Sequence, residues 1–382
     1  MKVNFCDTTL RDGEQAPGVS FNLDERKKIA QMLDGIGIDV LEIGIPAMSK
    51  QEQTELQKVL AVPKHAKVCT WNRALTRDID ASIASGATFV HISIPVSKIN
   101  AGMKFPGGIH EAQKRLFETL DYARAKNLQV SVGLEDASRA NPDWLAELLH
   151  KLTAWQVLRV RFADTVGILT PTTTANVIRH LRSASSIPIE FHGHNDYGLA
   201  VANTLAALES GATWASTTVM GLGERAGNAS MEAVALASRH LLDMTVALDF
   251  KSFNTLARLV AEWAKRQIPV DYPVIGDLVF THESGIHVDG TLKSPGCYEP
   301  YDPLTVGRDR RIVYGRHSGR HGIISLLEDC GEANDPAKVE SLLFAIQNLA
   351  RLKKTFLSAR DVRTLHQSRQ PKIELEERRE RP

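Results

Sequence analysis

Eight short runs of β-branched and other apolar residues, each followed by a stretch with helical periodicity, constrain this chain more than any other feature. They are Val3–Asp7, Val40–Ile45, Ala66–Trp71, Thr88–Pro95, Gln129–Glu135, Val157–Phe162, Ile187–His192 and Thr213–Val219. Parallel strands need long crossover connections, so strand and helix must alternate in this way along the sequence. Eight such units predict an α/β fold, a TIM (β/α)8 barrel over residues 1–250. A doubly wound open sheet is the competitor, but it carries a glycine turn after its first strand. Here that position holds Cys6-Asp7-Thr8-Thr9-Leu10-Arg11. The later Gly221-Leu222-Gly223-Glu224-Arg225-Ala226-Gly227 has the wrong spacing for a dinucleotide fingerprint and follows the eighth run, where barrels often place anion-binding loops.

Residues 251–382 read as a linker and a mainly helical extension: an amphipathic helix at 253–267, a Gly-, His- and Pro-rich stretch at 273–320, and helix again at 335–366. The Glu- and Arg-rich tail 371–382 is expected to be flexible. Forty-six Lys and Arg against 45 Asp and Glu leave a net charge of +1, so no chain-wide basic field is present to hold nucleic acid or an anionic membrane. Small-molecule substrates are the expected partners. The cysteines at 6, 69, 297 and 330 form no C-x-x-C pair, which suggests reduced thiols and a cytoplasmic setting. No apolar run approaches the roughly 20 residues of a membrane span, and no signal-peptide core precedes Asp7, so the chain is expected to be mature throughout. A chain of this size needs no structural metal. Any metal would have a chemical task.

Phe191-His192-Gly193-His194-Asn195-Asp196 is the sharpest local signal. Residues two apart on a strand share a face, so His192 and His194 can converge on one cation. A bare H-x-H is as often two satisfied histidines at a strand end. The context favours ligands: Asp7 ends the first strand, and its carboxylate is expected to open onto the same C-terminal mouth. Two imidazoles and a carboxylate leave positions open for water or an oxygen-rich substrate, with Mg²⁺, Mn²⁺, Zn²⁺ or Fe²⁺ all compatible. Arg11 follows in the next loop and can present a donor fork to a developing oxyanion. Glu135, ending the fifth run, is a candidate acid or base.

The stretches DTTLRDGEQ from Asp7, LEIGIPAM from Leu41, EDASRA from Glu135, RFADTVG from Arg161, EFHGHNDYGLAVANTLAALESGA from Glu190, TTVMGLGERAGNA from Thr217 and THESGIHVDG from Thr281 resemble the Claisen-condensing DRE-TIM metallolyases. Seven motifs in order span nearly the whole chain. Within that family the wording is most similar to the nitrogenase-associated homocitrate synthases. The resemblance implies an acyltransferase that condenses acetyl-CoA with 2-oxoglutarate, acts as a homodimer, and binds a divalent metal through Asp7, His192 and His194 with Asn228 nearby. It further implies that Arg11 contacts the ketone or enolate, that Thr165 binds the 2-oxo acid's carboxylate, and that Glu135 serves in proton transfer. His287 and Tyr298 are implied to act from the C-terminal extension, and Glu42 to order water or substrate. His282 and His317 are left as structural.

Lysine-pathway members show His, Arg and Ser where this chain has Trp71, Ser131 and Gly133. Arg73, His91, Ser97 and Arg139 are then the candidates for reading the far end of the 2-oxo acid, Arg73 first. Two alternatives remain at this point: a sibling isopropylmalate, citramalate or Re-type citrate synthase, and an inactive barrel that senses 2-oxo acids.

Overall fold

The structure is a computed structural model and describes residues 1–333 and 335–368. The stretch 371–382, expected to be flexible, lies outside the described residues. Eight parallel strands, β1 (Asn4–Asp7), β2 (Val40–Glu42), β3 (Lys67–Arg73), β4 (Phe89–Pro95), β5 (Gln129–Glu135), β6 (Val160–Asp164), β7 (Ile189–Gly193) and β8 (Trp214–Thr217), close into a barrel in sequence order. All eight expected runs become strands, with ends shifted by a few residues. The seam joins β1 to β8 with Asn4 opposite Trp214 and Asp7 opposite Thr217.

Alternation along each strand sorts two kinds of residue. Val90, Ile92 and Ile94 on β4, Val132 and Leu134 on β5, Val160 and Phe162 on β6, and Ile189 and Phe191 on β7 are all buried. They face the helical layer, and covering each one contributes about 1.5–3 kcal/mol. Their neighbours point inward and change character as the chain rises. At the bottom Cys6, Val40, Cys69 and Phe89 form an apolar cluster with Trp214 packed on it. One step higher come His91, Ser131, Arg161, Glu190 and Glu42, all buried. The mouth lies above them, at the strands' C-terminal ends.

By compactness the chain divides into two units, residues 1–269 with 273–275, and residues 270–272 with 276–382. The helix Phe253–Trp263, which the sequence reading places in the extension, belongs to the first unit because Phe253, Leu256, Ala257, Val260 and Ala261 give it one buried face. The second unit carries helices Gly285–Lys293, Arg320–Glu328, Pro336–Lys353 and Ala359–Gln367. It also has a two-strand parallel pairing of Thr281–His282 with Arg311–Ile312 inside the stretch read as linker. Its own core gathers Tyr314, Ile323, Leu326, Leu327, Val339, Leu342 and Ile346. Among the described residues no helix is long and apolar enough to cross a membrane.

Candidate active site and metal centre

Three ligand-bearing groups meet at the barrel mouth: Asp12, His192 and His194, all buried, with one donor atom of each within 4.8 Å of the others. Asp12 Oδ2 stands 3.1 Å from His192 Nε2 and 4.0 Å from His194 Nε2. The imidazoles are nearly perpendicular, with ring centroids 5.1 Å apart. Strand register then orients His192: it pairs across the ladder with Ser216 of β8, whose hydroxyl lies 3.0 Å from Nδ1 and leaves Nε2 toward the mouth.

The carboxylate in this group is Asp12, not Asp7, and alternation gives the reason. Cys6 lies in the apolar cluster inside the barrel, so Asp7 falls on the opposite face. There its carboxylate accepts from the Thr9 amide at 2.9 Å and the Thr9 hydroxyl at 3.1 Å. Burial raises its pKa to about 7, against those hydrogen bonds. Thr8 resumes the inward face and donates to Glu42. Asp12 arrives five residues beyond the strand, in a loop whose amides at 11, 12 and 13 all donate to the Thr8 carbonyl. Its carboxyl is held well below the usual range: burial opposes this, but Arg11 and the two imidazoles outweigh it. Burial and the adjacent His192 lower His194 to about 4, leaving a neutral ring able to donate a lone pair.

These donors fit a divalent cation. A buried carboxylate with two imidazoles is a mixed hard and borderline set suited to a site with open positions. Buried His194 Nδ1 and Asn228 Oδ1 have no protein hydrogen-bond partner. Asn228 is brought alongside by a backbone bridge to His194, while its amide group donates to the Leu222 carbonyl at 3.1 Å. The loop reaches this position through Gly227, whose φ of +88° is left-handed and where a side chain would strike the Gly221 carbonyl.

A cavity of about 220 Å³ opens over this cluster and is lined by Arg11, Gln15, Trp71, His91, Ser93, Gly133, Glu135, Arg161, Thr165 and Arg225 among others. Arg11 Nε donates to Glu42 at 2.6 Å, and its guanidinium lies 5.9 Å from the Trp71 ring centre. Beneath it runs a ladder of buried charges. Arg161 pairs with Glu42 at 2.9 Å and with Glu190, and Glu190 also accepts from Arg159. The two arginines outweigh burial and hold Glu190 at about 2, and Arg11 and Arg161 hold Glu42 well below its ordinary value. Isolated, each charge would be costly; paired along the ladder they are tolerated. Glu42 therefore orients Arg11 and Arg161 from below.

The other expected residues divide between mouth and periphery. Thr165 faces the cavity, its hydroxyl oxygen accepting from the Asp136 amide at 2.8 Å so that its proton is free to donate. Glu135 lines the rim and pairs with Lys104 at 2.7 Å. Arg73 forks onto Asp78 at 2.8 and 2.9 Å and does not line the cavity. Arg139 is tied to Asp136 in the same manner. Ser97 caps the helix Lys98–Lys104 and donates to Asp136. His287 and Tyr298 lie in the second unit, ring centroids 4.4 Å apart. His282 there pairs with Glu299 at 3.0 Å. Sequence reasoning missed Asp12 and Arg161. Arg159-Val160-Arg161 alternates charge with an apolar residue on a buried strand, a pattern that marks a barrel interior facing inward with charge.

Residues 2–260 match the HMGL-like family, and residues 274–354 match the homocitrate synthase post-HMGL domain-like family. Homocitrate synthase of Frankia alni is 47% identical over 86% of this chain and 94% of its own length. Homocitrate synthase 1 of Nostoc sp. is 43% identical over 95% and 97%. A 2-isopropylmalate synthase 2 of Caldanaerobacter subterraneus is 40% identical over 91% of both. Among solved structures, hydroxymethylglutaryl-CoA lyase from Pseudomonas aeruginosa superposes with a TM-score of 0.62 at 20% identity, covering 70% of this chain and 94% of that one. At that identity the likeness concerns the fold.

Proposed function

The chain belongs to the HMGL-like family, and from that premise and the site geometry we propose that it is a homocitrate synthase, condensing acetyl-CoA with 2-oxoglutarate and releasing homocitrate and CoA. The observation that carries the reading is the meeting of Asp12, His192, His194 and Arg11 around one cavity at the mouth of a closed barrel. Asp12, His192 and His194, with Asn228 beside them, would hold a divalent cation, which would supply Lewis acidity to a bound 2-oxo acid. The protein groups do the remainder. Thr165 donates a hydrogen bond from its hydroxyl to the substrate carboxylate. Arg11, fixed by Glu42 and backed by Trp71, places positive charge where the ketone oxygen becomes an alkoxide.

The acetyl methyl loses a proton, with Glu135 our candidate for that transfer, and its carbon bonds to the ketone carbon while the ketone oxygen takes up a proton. Water then adds to the thioester carbonyl, the carbon–sulfur bond breaks, and CoA leaves as the thiol. For that step we propose His287, with the Tyr298 ring tilted against it, from the family resemblance. The same reading proposes a cytoplasmic homodimer whose product serves as the organic ligand of nitrogenase's iron–molybdenum cofactor, in keeping with the Frankia and Nostoc relatives.

Thiol release assayed with a panel of 2-oxo acids tests the assignment. The expected result is preference for 2-oxoglutarate. Preference for 2-oxoisovalerate or pyruvate would transfer the chain to a sibling synthase, and no turnover with any acid would leave a sensing barrel.

A further inference from the structure

The reactive end of a 2-oxo acid is addressed by Arg11, Asp12 and the paired imidazoles, so the rest of the cavity wall decides which side chain is accepted. A second carboxylate calls for donors, and the expected choice is a guanidinium. The structure offers no uncommitted one among the described residues of the cavity. Arg161 is shared between Glu42 and Glu190, and Arg225 forks onto Asp196 at 2.8 Å while also donating to the Thr165 carbonyl. Arg73 and Arg139 are taken by Asp78 and Asp136.

What remains is a neutral wall on β4 and β5. His91 and Ser131 are opposite in register, both buried, with Nδ1 and the hydroxyl 2.9 Å apart. A hydroxyl donating to Nδ1 leaves the ring's proton on Nε2. That nitrogen and the Ser93 hydroxyl converge over Gly133: a β-carbon there would lie 2.5 Å from His91 Nε2 and 3.1 Å from Ser93 Oγ. Glycine thus keeps open the space into which both donors point. Burial and the nearby Arg161 keep the imidazole neutral, consistent with a hydrogen-bond donor and not a cation.

We infer that His91, oriented by Ser131 and given room by Gly133, is the specificity-determining contact for the distal carboxylate of the 2-oxo acid. The inference rests on the synthase reading above and names the group that selects a dicarboxylic substrate within it.

The test compares 2-oxoglutarate with 2-oxopentanoate, which has the same chain length and no distal carboxylate, in the full-length metal-loaded protein. His91→Ala is expected to raise KM for 2-oxoglutarate by about 10- to 100-fold, the loss typical of a hydrogen bond to a charged group, with kcat and the 2-oxopentanoate constants little changed. His91→Gln, which restores a donor, should recover part of the loss. Equal loss with both acids, or a fall in kcat at constant KM, would overturn the assignment. Should His91→Ala not fold by circular dichroism, Ser131→Ala decides: reduced selectivity is expected, and unchanged selectivity refutes the inference. A wild-type protein that prefers 2-oxoglutarate while the variants keep that preference sinks this inference alone. A wild-type preference for a monocarboxylic acid sinks the homocitrate assignment with it and makes the chain a sibling synthase.

Discussion

Asp7 and Asp12 stand five residues apart in one motif, yet the geometry assigns them different work. Asp12→Asn should weaken binding of a divalent cation by well over about 10-fold, whereas Asp7→Asn should leave it near wild type. Titration calorimetry with Mn²⁺ measures both, and equal losses would contradict the geometry. His192→Ala should fall with Asp12→Asn. Asp7 makes a second prediction. Its pKa rises from an ordinary 3.8 to about 7 on folding, so the folded protein holds a proton that the unfolded chain gives up. The stability this contributes is full below about pH 4 and is lost as pH rises to about 7. The unfolding free energy of wild type relative to Asp7→Asn should therefore decline across that window in urea titrations, and a flat difference would refute the shift.

At the level of strands and helices, the βα alternation was legible because crossover connections impose it, and every barrel strand overlaps one of the eight apolar runs. His192 and His194 were legible for the same reason, since a period of two on a strand fixes a shared face. Asp12 was not, because alternation ends with the strand and the loop's path depends on three amides converging on the Thr8 carbonyl. The commitment of Arg73 to Asp78 was likewise hidden, since nothing in the spacing distinguishes a substrate contact from a local fork. Helix starts were the clearer signals. Asn22 begins Leu23–Ile36 in a full capping box with Glu25. Replacing Asn22 by Ala should cost about 1 kcal/mol in chemical denaturation with unchanged turnover.

Across the whole molecule, the two compact units have separate cores, and substitutions should report on them separately. Ile346, fully buried in the second unit's cluster, should cost about 2–5 kcal/mol when replaced by Ala. Hydrogen exchange over 320–366 should accelerate in that variant, while the cation affinity of the barrel stays as in wild type. Conversely, a cation supplied at about 100 times its Kd should stabilise the barrel by about 2.7 kcal/mol.

The join between first and last strands carries a consequence of its own. The Val219 amide donates to the Thr9 hydroxyl at 2.9 Å, and that hydroxyl in turn donates to Asp7. A three-membered clasp therefore locks the cylinder where its circumference is completed, beside the loop that delivers Asp12. Deuterium uptake at that single amide becomes a clock for how often the ring of strands springs apart, and loading the mouth with a cation should slow it.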